Sequence, residues 1–471
     1  MRKAKIRTLC ILLGVLLLVC CATFAASRYE AKKEEIRNSD EIILSISPDT
    51  ASALSWEYED TSLSFYREED GDSWVWEEDS AFPVDGSVIR DLLSDFENFG
   101  VSFIIENVTD FSQYGLDEPD AVIRISAGDT DYEIKLGTYS TMDEERYVSI
   151  GDGNVYLAAH DPMEDYELTI RDCILHDSIP DVANATSIVF SGAEAYEITY
   201  LEDSDLSWCA EDVYFTDNKP LNTASVSSYL RSIHNLSLTD YVSYNASEEE
   251  LAAYGLDSPE LTVSVTYPES GEEDEKPHDE QLILHIGRNQ EELADALASE
   301  ESTADTDDVT AYARVGDSQI IYQITNSEYK KLAAAAYNDL RHEEIVTASF
   351  DDVKQIDITL EGETYTMTAE AGEEDSVTWH YADTEDFSIM DIENAILALS
   401  ASDFTEEPSG GKEEIRFTLS LENETHPEIT VVLYRCDGSN CVAEINGETT
   451  AFVPRSEVVD LIEAVHAAVL N

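Results

Sequence analysis

The chain has 471 residues, 43% of them hydrophobic, which suffices for roughly two to four globular domains with cores of their own. Its 27 Lys and Arg face 101 Asp and Glu, a formal net charge of −74, so the surface repels nucleic acid and anionic lipid headgroups and excludes DNA or RNA as a partner. The same charge serves as a solubilising face or as a weak trap for divalent cations or a basic partner, and charge alone does not choose between them.

Residues 1–7 are a basic tail containing Arg2, Lys3, Lys5 and Arg7. Residues 8–27 carry no charge and centre on an Ile-Leu-Leu-Gly-Val-Leu-Leu-Leu-Val run. About 20 apolar residues span a bilayer core, and basic residues stay on the cytoplasmic side. The segment is therefore expected to be a single-pass transmembrane anchor or a signal segment, with the bulk of the chain on the extracytoplasmic side of the cell membrane. Thr23-Phe24-Ala25 offers a small-x-small cleavage site for a signal peptide, and Leu18-Val19-Cys20-Cys21 resembles a lipobox. The residue before a lipidated Cys should be small, whereas Val19 and Cys20 stand there, so the uncleaved anchor is favoured. Residues 28–39 read as a linker.

A first module, 40–180, opens with expected strands at 42–46, 63–66 and 74–76. Pro83-Val84-Asp85 then precedes an amphipathic helix with Val88, Ile89, Leu92, Leu93 and Phe96 on one face and Asp85 as N-cap. A second module, 185–346, repeats the order: strands at 188–190 and 196–200, Trp208, then Pro220-Leu221-Asn222 before a helix with Val226, Leu230 and Ile233. Strands at 261–267 and 281–286 follow. Ile134-Lys135-Leu136-Gly137 aligns with Leu284-His285-Ile286-Gly287, and the closing Ile170-Arg171 aligns with Leu340-Arg341. A third module, 350–471, is degenerate. It holds strands at 353–360, 365–368, 415–421, 429–435, 441–445 and 449–453, Trp379, a helix capped by Asp391, and a terminal helix at 455–470 that covers its own sheet. Acidic stretches at 269–280 and 290–309 occur only in the second module and read as solvated loops.

The repeat is most visible in one hexapeptide. Tyr114-Gly115-Leu116-Asp117-x-Pro119 recurs as Tyr254-Gly255-Leu256-Asp257-x-Pro259, 140 residues on, and the third module has no copy. Each residue has a structural task at a helix end. Gly115 and Gly255 suit the left-handed position after the last turn, Leu116 and Leu256 pack back onto it, and Pro119 and Pro259 stop the helix. Tyr114 and Tyr254 cover the core. Asp117 and Asp257 are the only members able to serve chemistry, and bonding turn amides is their simpler use.

The ordered set of Trp strand, Pro-Val-Asp helix, Tyr-Gly-Leu-Asp-x-Pro, Ile-x-Leu-Gly and closing Leu-Arg resembles the bacterial domain-of-unknown-function (DUF) family 4340, with two clear copies and a degenerate third. The resemblance implies an exported or membrane-anchored protein, often encoded beside ABC transporter components of the gliding-motility type. No catalytic residue comes with it.

Known chemistries find little support. None of the nine His sits in H-E-x-x-H or H-x-H, and no Gly-x-Ser-x-Gly, Walker A or Gly-x-Gly-x-x-Gly run is present. Among 101 acidic residues carboxylate pairs arise by chance, so they carry no signal for glycoside hydrolysis. Asp70-Gly71-Asp72 and the acidic run at 305–308 lack the ligand order of an EF-hand. Trp76, Trp208 and Trp379 occupy like positions in the three modules, which points to core packing rather than a sugar platform. Cys436 and Cys441 flank a four-residue hairpin turn and are expected to form a disulfide in an oxidising compartment.

The expected fold is α+β: tandem modules of mostly antiparallel sheet with one or two helices each, after an N-terminal transmembrane helix. The expected function is an extracytoplasmic accessory or scaffold protein, with no catalytic, metal or cofactor site, that binds ABC transporter subunits or another cell-envelope component. A cell-surface hydrolase of envelope glycans and a divalent-cation-binding surface protein are the alternatives.

Overall fold

A computed structural model describes residues 41–68, 73–106, 108–202, 205–209, 211–269, 278–298, 306, 308–371, 377–384 and 387–469, together with Val19 and Thr23. The expected anchor at 8–27 thus lies, but for those two residues, outside the described residues. Among the described residues no helix is long and apolar enough to cross a membrane. The chain divides into two compact units, Met1–His176 and Asp177–Asn471.

The first unit holds one sheet. Its strands are β1 (Glu41–Leu44), β2 (Ala51–Tyr58), β3 (Thr61–Arg67), β4 (Trp74–Trp76), β5 (Phe99–Ile105), β6 (Ala121–Ala127), β7 (Thr130–Ser140), β8 (Glu145–Ser149) and β9 (Val155–Ala158). Their lateral order is β1-β5-β9-β8-β7-β6-β2-β3-β4. The second unit holds two. One comprises β10 (Ser187–Gly192), β11 (Glu197–Tyr200), β12 (Tyr214–Thr216), β13 (Lys219–Pro220), β14 (Tyr241–Ser243), β15 (Leu261–Glu269), β16 (His278–Arg288), β17 (Ala311–Val315) and β18 (Ile321–Ile324), in the order β13-β12-β11-β10-β15-β16-β17-β18-β14. The other comprises β19 (Val353–Leu360), β20 (Glu363–Ala371), β21 (Val377–Tyr381), β22 (Asp403–Phe404), β23 (Glu413–Leu421), β24 (Glu428–Arg435), β25 (Asn440–Ile445) and β26 (Glu448–Pro454), in the order β21-β20-β19-β23-β24-β25-β26-β22.

With β2, β10 and β19 placed on one another, all three sheets carry the same eight strands in the same lateral order; β1 and β13 are single additions at an edge. Every ladder between these strands is antiparallel, for example β2 with β6, β10 with β15 and β19 with β23. The fold is therefore α+β with antiparallel sheets. The third module has lost the hexapeptide but kept the topology. A strand absent from the sequence reading, β2, lies inside the first sheet between β3 and β6, with Leu54 and Trp56 fully buried on alternating positions.

One helix follows the third repeated strand in each case. Gly86–Ser94 buries Ile89, Leu92 and Leu93, and Asp85 caps it by accepting from the Ser87 amide at 2.8 Å. Thr223–His234 buries Val226, Tyr229, Leu230 and Ile233 behind an Asn222 cap. The third, Met390–Leu397, differs from expectation. It starts after the buried Ile389, so Asp391 lies inside its first turn and makes no capping bond. There its charge still faces the positive end of the helix dipole. The terminal helix Arg455–Val469 buries Val458, Leu461 and Val465 in the core of the third sheet, as expected. The acidic stretch at 290–309 is not wholly loop, since it opens with a helix, Gln290–Ala298, whose first amides are held by Asn289.

Candidate functional site

The hexapeptide is a turn docked on a strand. Gly115 has φ of 70° and Gly255 has φ of 69°. The Gly115 amide donates to Ser112 and the Leu116 amide to Phe111; in the second copy Gly255 donates to Ala252 and Leu256 to Leu251. These are paired bonds of the kind that close a helix end on a left-handed glycine. The first copy closes a short 3-10 turn, Ser112–Tyr114; the second closes the helix Glu248–Ala253. Leu116 and Leu256 are buried, while Asp117 and Asp257 are exposed and Pro119 and Pro259 half-buried.

The Ile-x-Leu-Gly strand turns out to be the other half of the same device. A Cβ on Gly137 would strike the Tyr114 carbonyl, and one on Gly287 would lie 2.5 Å from the Gly255 oxygen and 2.6 Å from the Tyr254 oxygen. The turn thus rests on bare backbone of β7 or β16. Beside it Tyr114 packs on Tyr147 at 5.0 Å between ring centres, and Tyr254 packs on the matching Tyr312 at 4.4 Å. The acid after each proline is tied down as well. Asp120 accepts from Arg146 at 2.7 Å, and Glu260 accepts from Arg288 at 2.7 and 3.0 Å. In the ladders Leu136 pairs with Ala121 and Ile286 with Leu261, each followed by its glycine. In the third sheet Leu433 pairs with Ile415 and is followed by Tyr434. Where the turn is missing, so is the glycine. The signature residues are a packing unit and converge on no reactive centre.

A cleft of about 600 Å³ lies in the second unit, between β13 at one edge of the second sheet and β22 at one edge of the third. Its walls include Trp208, Lys219, Tyr337, Arg341, His342 and Phe404, with Glu344, Glu406 and Glu448. The Arg341 guanidinium lies over Phe404 at 4.3 Å and over Tyr337 at 5.0 Å, and the Lys219 ammonium is 5.8 Å from the Tyr337 ring. These are cation–π distances.

In the wall itself, His342 Nε2 donates to the buried Asp212 at 2.9 Å, and its Nδ1 faces Glu344 at 3.4 Å. Burial works against the imidazolium, but the Asp212 bond and charge, with Glu344, hold His342 above its ordinary value. Ser207 is also present, yet its hydroxyl donates to Asp212 Oδ2 at 2.6 Å. The carboxylate stands between hydroxyl and imidazole, so His342 has no contact through which to take the serine proton, and the group lacks the order of a nucleophilic triad. It serves to fasten the 205–212 segment to the chain at 341–344. Sequence spacing gave no sign of it, because Asp212 and His342 are 130 positions apart.

Two further expectations change. Trp208 does not occupy the strand position held by Trp76 on β4 and Trp379 on β21; that place belongs to Tyr214–Thr216, and Trp208 packs instead on the core of the third sheet and 5.2 Å from the His426 ring. Cys436 and Cys441 are free thiols, not the expected disulfide. The ladder sets Cys441 opposite Arg435, one residue short of Cys436. Alternation then turns the buried Cys441 and the exposed Cys436 to opposite faces.

Three copies of one antiparallel sheet, two of them carrying the glycine-docked turn and all joined to a helix, define a tandem-module protein. The chain belongs to the family described as Domain of unknown function (DUF4340), which matches residues 74–184 and 215–415. Each match begins at the third repeated strand of its sheet, β4 or β12, and the second runs on into the third sheet. Neither a curated protein nor a solved structure matches the chain.

Proposed function

We propose that the chain is an extracytoplasmic accessory or scaffold protein, held at the membrane by residues 8–27, and that the cleft of the second unit receives a segment of its partner. The partner is a subunit of an ABC transporter of the gliding-motility type or another component of the cell envelope. The observation that carries this reading is the cleft's place and lining. It lies between two sheet edges, β13 and β22, and carries aromatic faces and both signs of charge. An exposed edge can add an extended segment as a further strand, and pockets beside it read the side chains. A mixed lining suits a peptide segment better than a single small anion. Repetition of a module without a nucleophile–base pair at the cleft among the described residues supports binding over turnover.

The test is recovery of partners from native membranes through a C-terminal tag. A permease and its ATPase at near-stoichiometric yield, lost on Arg341→Glu with Phe404→Ala, supports the proposal. Equal recovery by that variant places the contact elsewhere, and recovery of the chain alone on wall material favours the glycan hydrolase.

A further inference from the structure

A second arrangement lies in the first unit. Asp95 follows the last turn of helix Gly86–Ser94, and the chain after β9 carries His160 and Asp165. One ligand atom from each of the three lies within 4.8 Å of the others. His160 Nε2 is 3.4 Å from Asp165 Oδ2. Asp95 Oδ2 is shut off from solvent and has no hydrogen-bond partner among the described residues.

The neighbouring chain is well anchored. The buried Tyr166 hydroxyl donates to the Leu92 carbonyl at 2.8 Å, which fastens the short helix Met163–Tyr166 to the last turn before Asp95. Asp161, next to His160, is fixed by Arg146 Nε at 2.8 Å and by the Met163 amide at 3.0 Å. These bonds anchor the chain beside His160 and beside Asp165, the latter to the helix end that carries Asp95.

The electrostatics are one-sided. A carboxylate at a helix C-terminus faces the negative end of the dipole. Asp165 sets a second carboxylate oxygen within 4.8 Å of that of Asp95. A cation at this point relieves the unpartnered oxygen, the dipole and the carboxylate repulsion together.

We infer that Asp95, His160 and Asp165 form a binding site for a divalent transition ion of the Zn²⁺ type. An imidazole ligand favours such an ion over Ca²⁺ or Mg²⁺, and two carboxylates complete a three-ligand set. His160 and Asp165 are exposed, so the remaining position is open to water. Sequence spacing concealed the set, because Asp95 stands far from His160 and neither belongs to a short motif. A second grouping, Glu269, His278 and Glu280, has like residue types, but all three are exposed and none holds a buried unpartnered atom. It provides the control.

The experiment is calorimetric titration of the chelator-treated full chain with ZnCl₂, in a large excess of Ca²⁺ to occupy the general acidic surface. The expected result is one tight equivalent that weakens by more than about 100-fold in His160→Ala and in Asp95→Asn, beyond the range typical of outer-shell losses. It should persist in His278→Ala. His160 is exposed, so its removal does not threaten the fold; the visible spectrum of Co²⁺ on the unaltered chain gives an independent readout of imidazole coordination. Absence of a tight equivalent, or one of equal affinity in His160→Ala and Asp95→Asn, overturns the assignment.

Discussion

Gly287→Ala tests the docked turn most sharply. The added methyl meets the Gly255 oxygen at 2.5 Å, the Tyr254 oxygen at 2.6 Å and the Gly255 carbonyl carbon at 2.8 Å. All three are backbone atoms, so no side chain can swing aside, and the turn must lift from β16. Overpacking of this kind costs about 3 kcal/mol, the upper part of its usual range. Replacing glycine by alanine inside a strand returns roughly 0.7 kcal/mol. The net loss is about 2 kcal/mol, roughly a 30-fold rise in local opening. Hydrogen exchange read by mass spectrometry over 248–257 and 278–288 measures it. Gly100→Ala is the comparison, because its nearest atom would be the Glu41 oxygen at 4.0 Å; its effect should stay within about 0.5 kcal/mol. Unchanged exchange in Gly287→Ala, or an equal loss in Gly100→Ala, would refute the claim that these glycines exist for close approach.

Other outcomes follow from single groups. Asp95 has a carboxyl raised from 3.8 to about 7, so its penalty on folding is absent below the lower value, grows through that window and is complete above it. Metal-free Asp95→Asn should therefore be more stable than the parent at pH 8, by on the order of 1–2 kcal/mol after allowance for partial exposure, and no more stable at pH 3.5; denaturant titration at the two values decides. His342 is held above its ordinary value despite burial, by Asp212 and then Glu344. Its contribution is full below 6.5 and lost as pH rises through the raised value, and exchange at 337–344 against pH should show that loss. Asp212→Ala leaves a buried imidazole without its carboxylate and should cost about 3–5 kcal/mol by denaturant unfolding. Cys441 is buried, and burial first and then Glu414 push its thiol up to about 11, partly offset by Arg455 and Arg435. In the folded chain an alkylating reagent should label the exposed Cys436 and leave Cys441, with no change in mobility on reduction.

The parts of the fold that were legible were those written in turn and cap chemistry. Tyr-Gly-Leu-Asp-x-Pro and Ile-x-Leu-Gly were each visible as repeats, because glycine at a left-handed or crowded backbone position has no substitute. That the two touch was not visible, since contact between a turn and a strand leaves no spacing rule. The third module looked degenerate because it lacks the hexapeptide, although the order of its strands is unchanged; Tyr434 stands where the partner glycine would be. Strand β2 escaped because its outward positions are small or polar and its large buried ones, Leu54 and Trp56, are few beside the small Ala51. Asp391 and the two hairpin cysteines were misplaced by one or two residues, an offset that periodicity does not resolve but that decides which group a side chain meets. The cleft drew on residues from 208 to 450, and its formation depends on the second and third sheets meeting within one unit.

The most direct measurement for the functional reading is site-specific photo-crosslinking in intact cells, with a benzophenone side chain at Phe404 or Thr449 in the cleft and at Thr359 on β19 for comparison. The account predicts that both cleft positions yield one and the same cross-linked transporter subunit or envelope protein, and that Thr359 yields none. Cross-links from Thr359 and silence from the cleft would contradict it.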